Sequence, residues 1–200
     1  DQEQYRISSD TIDQINRKCH DMRHQIRSIG SSAKVDANAL KEMEQAIHIY
    51  DSMFQTGSRA LDVILTEKSM ACQESGITVN CIADGSALSF MEDSDIYSLF
   101  GNLLENSINA VKALDASLRT IDLSIRRHDE LLSISTRNFY EGTITMENGR
   151  PVTSGDPRYH GFGTKSVAAI VSKYGGAVSF RAQSGTFSVN MLFPLKKKEE

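Results

Sequence analysis

No pair of cysteines stands at C-x-x-C spacing in this 200-residue sequence, and the cysteine count is odd. Cys19, Cys72 and Cys81 are scattered, so neither a disulfide framework nor a structural zinc site is signalled, and a reducing, cytoplasmic compartment fits. Long apolar runs are missing as well. The longest, "VAAIV" (Val167 to Val171), falls far short of the roughly 20 apolar residues that span a bilayer. No secretory leader pattern is visible, and the chain opens within a helical pattern, so we expect a soluble piece of something longer. The net charge of −4 contains no basic surplus, which gives no reason to expect a nucleic-acid partner. The one charge run, "KKKEE" at the end, reads as a frayed tail. The glycine spacings of the dinucleotide fingerprint and of the Walker A loop are both absent. What remains is 40% apolar and 24% charged, an ordinary composition for one compact domain plus an extra element, or for two small domains.

Two periodicities divide the chain. Ile12, Ile15, Cys19, Met22, Ile26 and Ile29 alternate spacings of three and four, the seam that one helix buries against another. "GSS" (Gly30 to Ser32) interrupts it. A second seam runs through Leu40, Met43, Ile47, Tyr50 and Phe54 and on to Leu61 and Ile64, with Gly57 at a skipped position. Two narrow seams predict an antiparallel helical hairpin over residues 1–70, completed as a four-helix bundle in a homodimer. The alternative is that these helices pack on their own C-terminal domain. From about Gly76 the period becomes two. "ITVNCI", "TIDLSIRR", "ELLSISTR" and a hairpin around Ser184 and Gly185 read as strands. Helices are expected over about Ser94 to Asp115 and Gly163 to Lys173. Residues 71–200 therefore predict an α+β sandwich with helices on one face of the sheet. Phe139 to Tyr159, rich in glycine and proline, reads as a long loop of the lid kind.

Three features carry chemistry. In "DIYSLFGNLLENSINAVKAL", Asn102, Asn106 and Asn109 recur at i, i+4 and i+7 beside Glu105. Asparagine is a mediocre helix former, so this strip suggests that the amide oxygens have a task, such as ligating Mg²⁺ together with substrate phosphates. A solvated polar face is the alternative. In "HGFGTKS", two glycines open a helix, an arrangement that offers backbone N–H groups and a partial positive charge to an anion. Lys165 at that helix start either pairs with phosphate oxygens or is a surface lysine. On the first seam, His20 lies off the apolar stripe. A solvent-facing imidazole is nucleophilic near neutral pH, and the adjacent Asp21 can orient it or take a proton. Arg17, Arg23 and Arg27 lie near the same face, and His24, one turn on, is the rival acceptor. His20 and His24 at i, i+4 lack an evident third metal ligand.

"NLLENSINA" resembles the N-box of the GHKL ATP-binding fold, shared by sensor histidine kinases, gyrase B, MutL and the large heat-shock chaperone ATPase. "HGFGTKS" resembles that fold's second glycine box, and "VAAIVSKYGGAVSF" is similar to the segment after that box in histidine kinases. "CHDMRHQI" looks like the phospho-acceptor box of the subgroup that includes the peptide-pheromone receptors. The resemblance implies a histidine kinase: a GHKL sandwich binding Mg·ATP, a hairpin presenting His20, and a response regulator whose aspartate then takes the phosphoryl group. It implies Asn106 as the Mg²⁺ ligand and Asn102 at the position one turn earlier, where hydrolytic members carry a glutamate that activates water. Glu105 is implied as an acid/base or structural group, and Gly161, Gly163, Thr164 and Lys165 as the triphosphate cradle. The family's first glycine box, Asp-x-Gly-x-Gly, is missing. Asn138 in "RNFYEG" stands where its adenine-reading aspartate is expected, and an amide oxygen also accepts a hydrogen bond. The resemblance further implies the cytoplasmic part of a membrane-bound sensor. The alternatives are a nucleotide-independent phosphotransfer or scaffold module with a degenerate ATP site, and a hydrolytic ATPase, which predicts a glutamate at position 102.

Overall fold

A computed structural model describes residues 2–11, 13–14, 17, 54–152 and 162–195. The elements run as helix α1 (residues 2–11), α2 (Arg59–Glu74), β1 (Thr78–Ala83), α3 (Asp93–Val111), β2 (Thr120–His128) and β3 (Leu131–Phe139). There follow β4 (Thr145–Glu147), β5 (Arg150–Val152), α4 (Phe162–Lys173), β6 (Ala177–Gln183) and β7 (Thr186–Pro194). Five strands form one sheet in the order β1-β2-β3-β7-β6, with β1 parallel to β2 and the other pairs antiparallel.

Alternation along the strands puts the apolar side chains on one face. Ile121, Leu123 and Ile125 of β2, Leu132 and Ile134 of β3, and Met191 and Phe193 of β7 are all buried beneath the helices. The opposite face is polar. On it Asp122 accepts from Asn80 at 2.9 Å and from Arg137 at 2.8 Å, and the Ser124 and Ser135 hydroxyls bond at 2.9 Å. This is the α+β sandwich expected from residue 71 onward.

Its core begins earlier than that. Ser58 caps α2, accepting from the Leu61 N–H, and Ala60, Leu61, Val63, Ile64 and Leu65 are buried against α3. Leu61 and Ile64 therefore belong to the sandwich core rather than to the seam of a hairpin. The heptad spacing carried across Gly57, although residues 54–58 are not helical and α2 begins only after its cap at Ser58. The remainder of the expected hairpin and its four-helix bundle lie largely outside the described residues.

Helix α1 rests on α2 and α3. The Tyr5 and Tyr97 rings lie 5.5 Å apart, and Ser8 and Tyr97 both donate to Glu67, at 2.8 and 2.6 Å. Burial, reinforced by the bond to Glu67, pushes the Tyr97 phenol up to about 12, so it stays a donor. Among the described residues no helix is long and apolar enough to cross a membrane.

The segment expected as a loop from Phe139 to Tyr159 contains the β4–β5 ribbon. Asn148 (φ 51°) and Gly149 (φ 74°) make its turn, and two consecutive positive φ values are what a tight hairpin of this hand demands. At the other end of α4, Gly175 (φ 68°) lets the helix close: its N–H donates to Ser172 O at 3.0 Å and that of Gly176 to Val171 O at 2.9 Å.

If α2 belongs to the sandwich, Leu61→Ala lowers the stability of the sandwich itself by about 2–5 kcal/mol, because a fully buried leucine leaves a cavity. Denaturant unfolding followed by near-UV circular dichroism measures this. An unchanged transition would return Leu61 to a separate helical unit.

Candidate functional site

Three elements bring the predicted groups together. Helix α3 buries Leu99, Phe100, Leu103, Leu104, Ile108 and Val111, which fixes its rotation about its axis. Asn102 and Asn106 then face the first turn of α4. A Cβ built on Gly163 would stand 3.0 Å from Asn106 Nδ2, 3.1 Å from its Oδ1 and 3.4 Å from Asn102 Oδ1. The glycine thus lets the start of α4 approach both amides, and its missing side chain leaves the space between them open. Asn102 Nδ2 donates to Ser98 O at 2.7 Å and, more weakly, to Ser166 Oγ at 3.4 Å, and its oxygen lies toward Gly163. Asn106 is exposed and its amide has no hydrogen bond among the described residues. Lys165 is exposed on the same first turn, and Thr164 is half-buried.

Asn138 comes from the far end of β3. Its side chain is 4% exposed and meets Ser107, 3% exposed, on α3. Ser107 Oγ donates to Asn138 Oδ1 at 3.0 Å, and Asn138 Nδ2 donates to Phe139 O at 2.8 Å. The amide is therefore largely buried and held at both ends, beside a recess that Asn138 helps to line. Ser107 escaped the sequence reading. The signal for it was a hydroxyl four residues from both Leu103 and Val111, in the apolar stripe of the helix.

The remaining polar groups of the strip turn away. Lys68 of α2 donates to Glu105 at 2.9 Å, Asn109 donates to Glu105 at 3.3 Å, and Lys112 donates to Asn109 at 2.7 Å. The bond from Lys68 holds the Glu105 carboxyl below the usual glutamate range, against the opposing effect of partial burial. Glu105 is thus an ion-paired strut between α2 and α3, and Asn109 belongs with it rather than with Asn102 and Asn106. His20, Asp21 and Gly161 lie outside the described residues.

The oxygens of Asn102 and Asn106 are hard donors of the kind Mg²⁺ prefers, and a cation that shares phosphate oxygens needs only one or two from the protein. Among the described residues no group of three His, Cys, Asp or Glu offers another metal site. A recess of about 280 Å³ is lined by Thr120, Asp122, Arg137, Asn138, Phe139 and Thr186, at the end of β3.

The profile of the GHKL domain family matches residues 91–194, which contain the whole of α3, the central strands and α4. The chain belongs to the GHKL family. It is similar to a "Probable C4-dicarboxylate sensor kinase" of Bacillus subtilis (strain 168), at 26% identity over 152 residues, 68% of this chain. That alignment covers 27% of the relative, so the chain spans about a quarter of its length. Among solved structures, the nucleotide-free catalytic domain of the histidine kinase ThkA superposes with a TM-score of 0.52 at 13% identity, covering 70% of this chain and 93% of that one. A second crystal form of the same domain also gives 0.52 at 13% identity, over 70% and 94% of the two chains. These superpositions establish the GHKL fold.

The Glu105–Lys68 pair yields a pH prediction. A carboxylate depressed in the fold stabilises fully above its unfolded value, and that contribution is lost as pH falls through the lower folded value. Glu105 is 53% exposed, so Glu105→Gln costs at most about 0.5 kcal/mol at pH 7. The gap from the unsubstituted protein closes below about pH 4, as read by melting temperature across a pH series. A gap that persists at acid pH would show that the charge is not what stabilises.

Proposed function

We propose that this chain is the kinase end of a sensor histidine kinase. It takes the γ-phosphoryl group of Mg·ATP onto His20 and passes it to an aspartate of a response regulator. The observation that carries the reading is the meeting of Asn102, Asn106 and the open backbone of Gly163 at the start of α4. The position where a hydrolytic member needs a carboxylate holds Asn102, an amide that cannot take a proton from water. This favours transfer to a protein side chain over hydrolysis.

In this reading the N-terminal N–H groups of α4 and the Lys165 ammonium receive the triphosphate, with Gly161 and Thr164 completing the cradle. Asn106 holds the Mg²⁺ ion, which supplies charge neutralisation on the phosphate oxygens. Asn138 presents its amide to the adenine edge. His20 attacks through a neutral ring nitrogen: a P–N bond forms, the bond to the β-phosphate oxygen breaks and ADP leaves, while Asp21 orients the ring. The chain works as a homodimer whose helices present His20, in the cytoplasmic part of a membrane-bound sensor.

Incubation with γ-labelled ATP tests the transfer. An acid-labile, base-stable label is expected on the unsubstituted chain and not on His20→Gln. Label that persists there but disappears in His24→Gln moves the acceptor one turn on. Absence of any saturable, Mg-dependent ATP binding overturns the reading and leaves the nucleotide-independent scaffold.

Gly163→Ala separates the site from the fold. The added methyl displaces only the flexible end of Asn106 and suits a helix, so melting temperature changes by at most about 2 °C. ATP affinity, read by calorimetry, falls about tenfold or more, since the methyl fills the space between the amides.

A further inference from the structure

Helices α3 and α4 run antiparallel, and the two ends of their contact are unlike. At one end Asn102 and Asn106 meet the glycine-opened start of α4. At the other, the chain leaving α4 is bound to the start of α3. Tyr174 Oη donates to Asp95 Oδ2 at 2.5 Å and accepts from the Glu92 N–H at 2.9 Å. Lys173 Nζ donates to the same Asp95 oxygen at 2.6 Å. The Tyr174 ring stands edge-on to Phe90 with 5.8 Å between centroids, and Phe90 lies 5.6 Å from Phe193 of β7. Gly175 then turns the chain toward β6, where a Cβ on Gly176 would stand 2.7 Å from the Phe193 ring. Tyr174 thus joins α3, α4 and the sheet at one point.

Between its ends α4 buries Val167, Ala168 and Val171. Burial of such short side chains is non-directional, so it leaves small tilts of the helix nearly free. Hydrogen bonds to a carboxylate are directional and strong. The tyrosine end of α4 is therefore the fixed end. Gly163 lies eleven residues away, about 16 Å along the helix, so a tilt of about 4° at Tyr174 moves it by about 1 Å. The clearance at Gly163 is small, since a Cβ there would meet Asn106 at 3.0 Å and Asn102 at 3.4 Å. An ångström of misplacement is enough to weaken a site.

We propose that Tyr174 is a positioning residue for the nucleotide cleft: bound to Asp95 and the Glu92 N–H, it fixes the far end of α4 and so sets the gap between Gly163 and the amides of Asn102 and Asn106. This rests on the nucleotide reading of the site.

Calorimetry with Mg·ATP on the whole chain tests it. Tyr174→Phe keeps the ring and removes the hydroxyl, and ATP affinity is expected to fall about threefold to tenfold, the equivalent of one hydrogen bond. Substitutions this far apart add when each acts alone. Gly163→Ala by itself costs about tenfold or more, whereas in the Tyr174→Phe background, where the start of α4 is free to yield to the methyl, it costs at most about threefold. A second readout needs no ligand. The side-chain amide resonances of Asn102, which reaches across to Ser166 of α4, shift in Tyr174→Phe when followed by NMR. Additive losses, an unchanged ATP affinity in Tyr174→Phe, or unmoved Asn102 resonances overturn the proposal. If the unsubstituted chain binds no ATP, the nucleotide reading fails, while the Asn102 resonances still report whether Tyr174 places α4.

Discussion

The burial of α3 between two helices and the sheet is the interaction on which the rest of the structure depends. Its apolar residues, from Ile96 through Val111, pack on α2, α4, β2 and β3. Each fully buried leucine, isoleucine or phenylalanine contributes on the order of 1.5–3 kcal/mol, so the helix has one favourable rotation about its axis. That rotation sends each polar residue of a single stretch to a different neighbour. Asn102 and Asn106 meet α4, Glu105 meets Lys68 on α2, and Ser107 meets Asn138 on the sheet. A register error of one residue, about 100° around the axis, would dissolve all three sets of contacts together.

The chemistry of the site derives from its charges. Asn102, Asn106 and Asn138 are amides where carboxylates are conceivable, so they place no negative charge against an anionic ligand. Positive character comes from the start of α4 and from Lys165. The carboxylate in the same stretch, Glu105, is neutralised on the far side by lysines. On the proposed reading, this separation leaves a phosphate cradle with no base that could activate water, and the fold then supplies mainly position.

Periodic stretches were legible in the sequence because burial on one face imposes a period. Ile121, Leu123 and Ile125 marked β2, and Leu99, Leu103 and Leu114 marked the α3 region, all of them in the core. Where period alone was the guide, it also misled. Leu61 and Ile64 continued a heptad, yet α2 starts at its cap Ser58 and the sandwich claims both residues. The strands of the β4–β5 ribbon are three residues each, too short to show a period, so the whole segment read as a loop.

By itself the sequence determined the long periodic elements of the sandwich, the apolar face of each, and that an amide strip and a glycine-opened helix exist. Only the tertiary structure decided which polar groups share a site, because that depends on how helices rotate as they pack. Asn109 looked like a third member of the strip until α3 packing left it with Glu105 and Lys112. Ser107 went unread in the sequence, and its role as partner of a buried amide came only from the packing of β3 on α3. Sequence spacing fixes positions along an element, whereas contact between elements is set by burying the most apolar surface, and the polar partners are whatever that burial brings within reach.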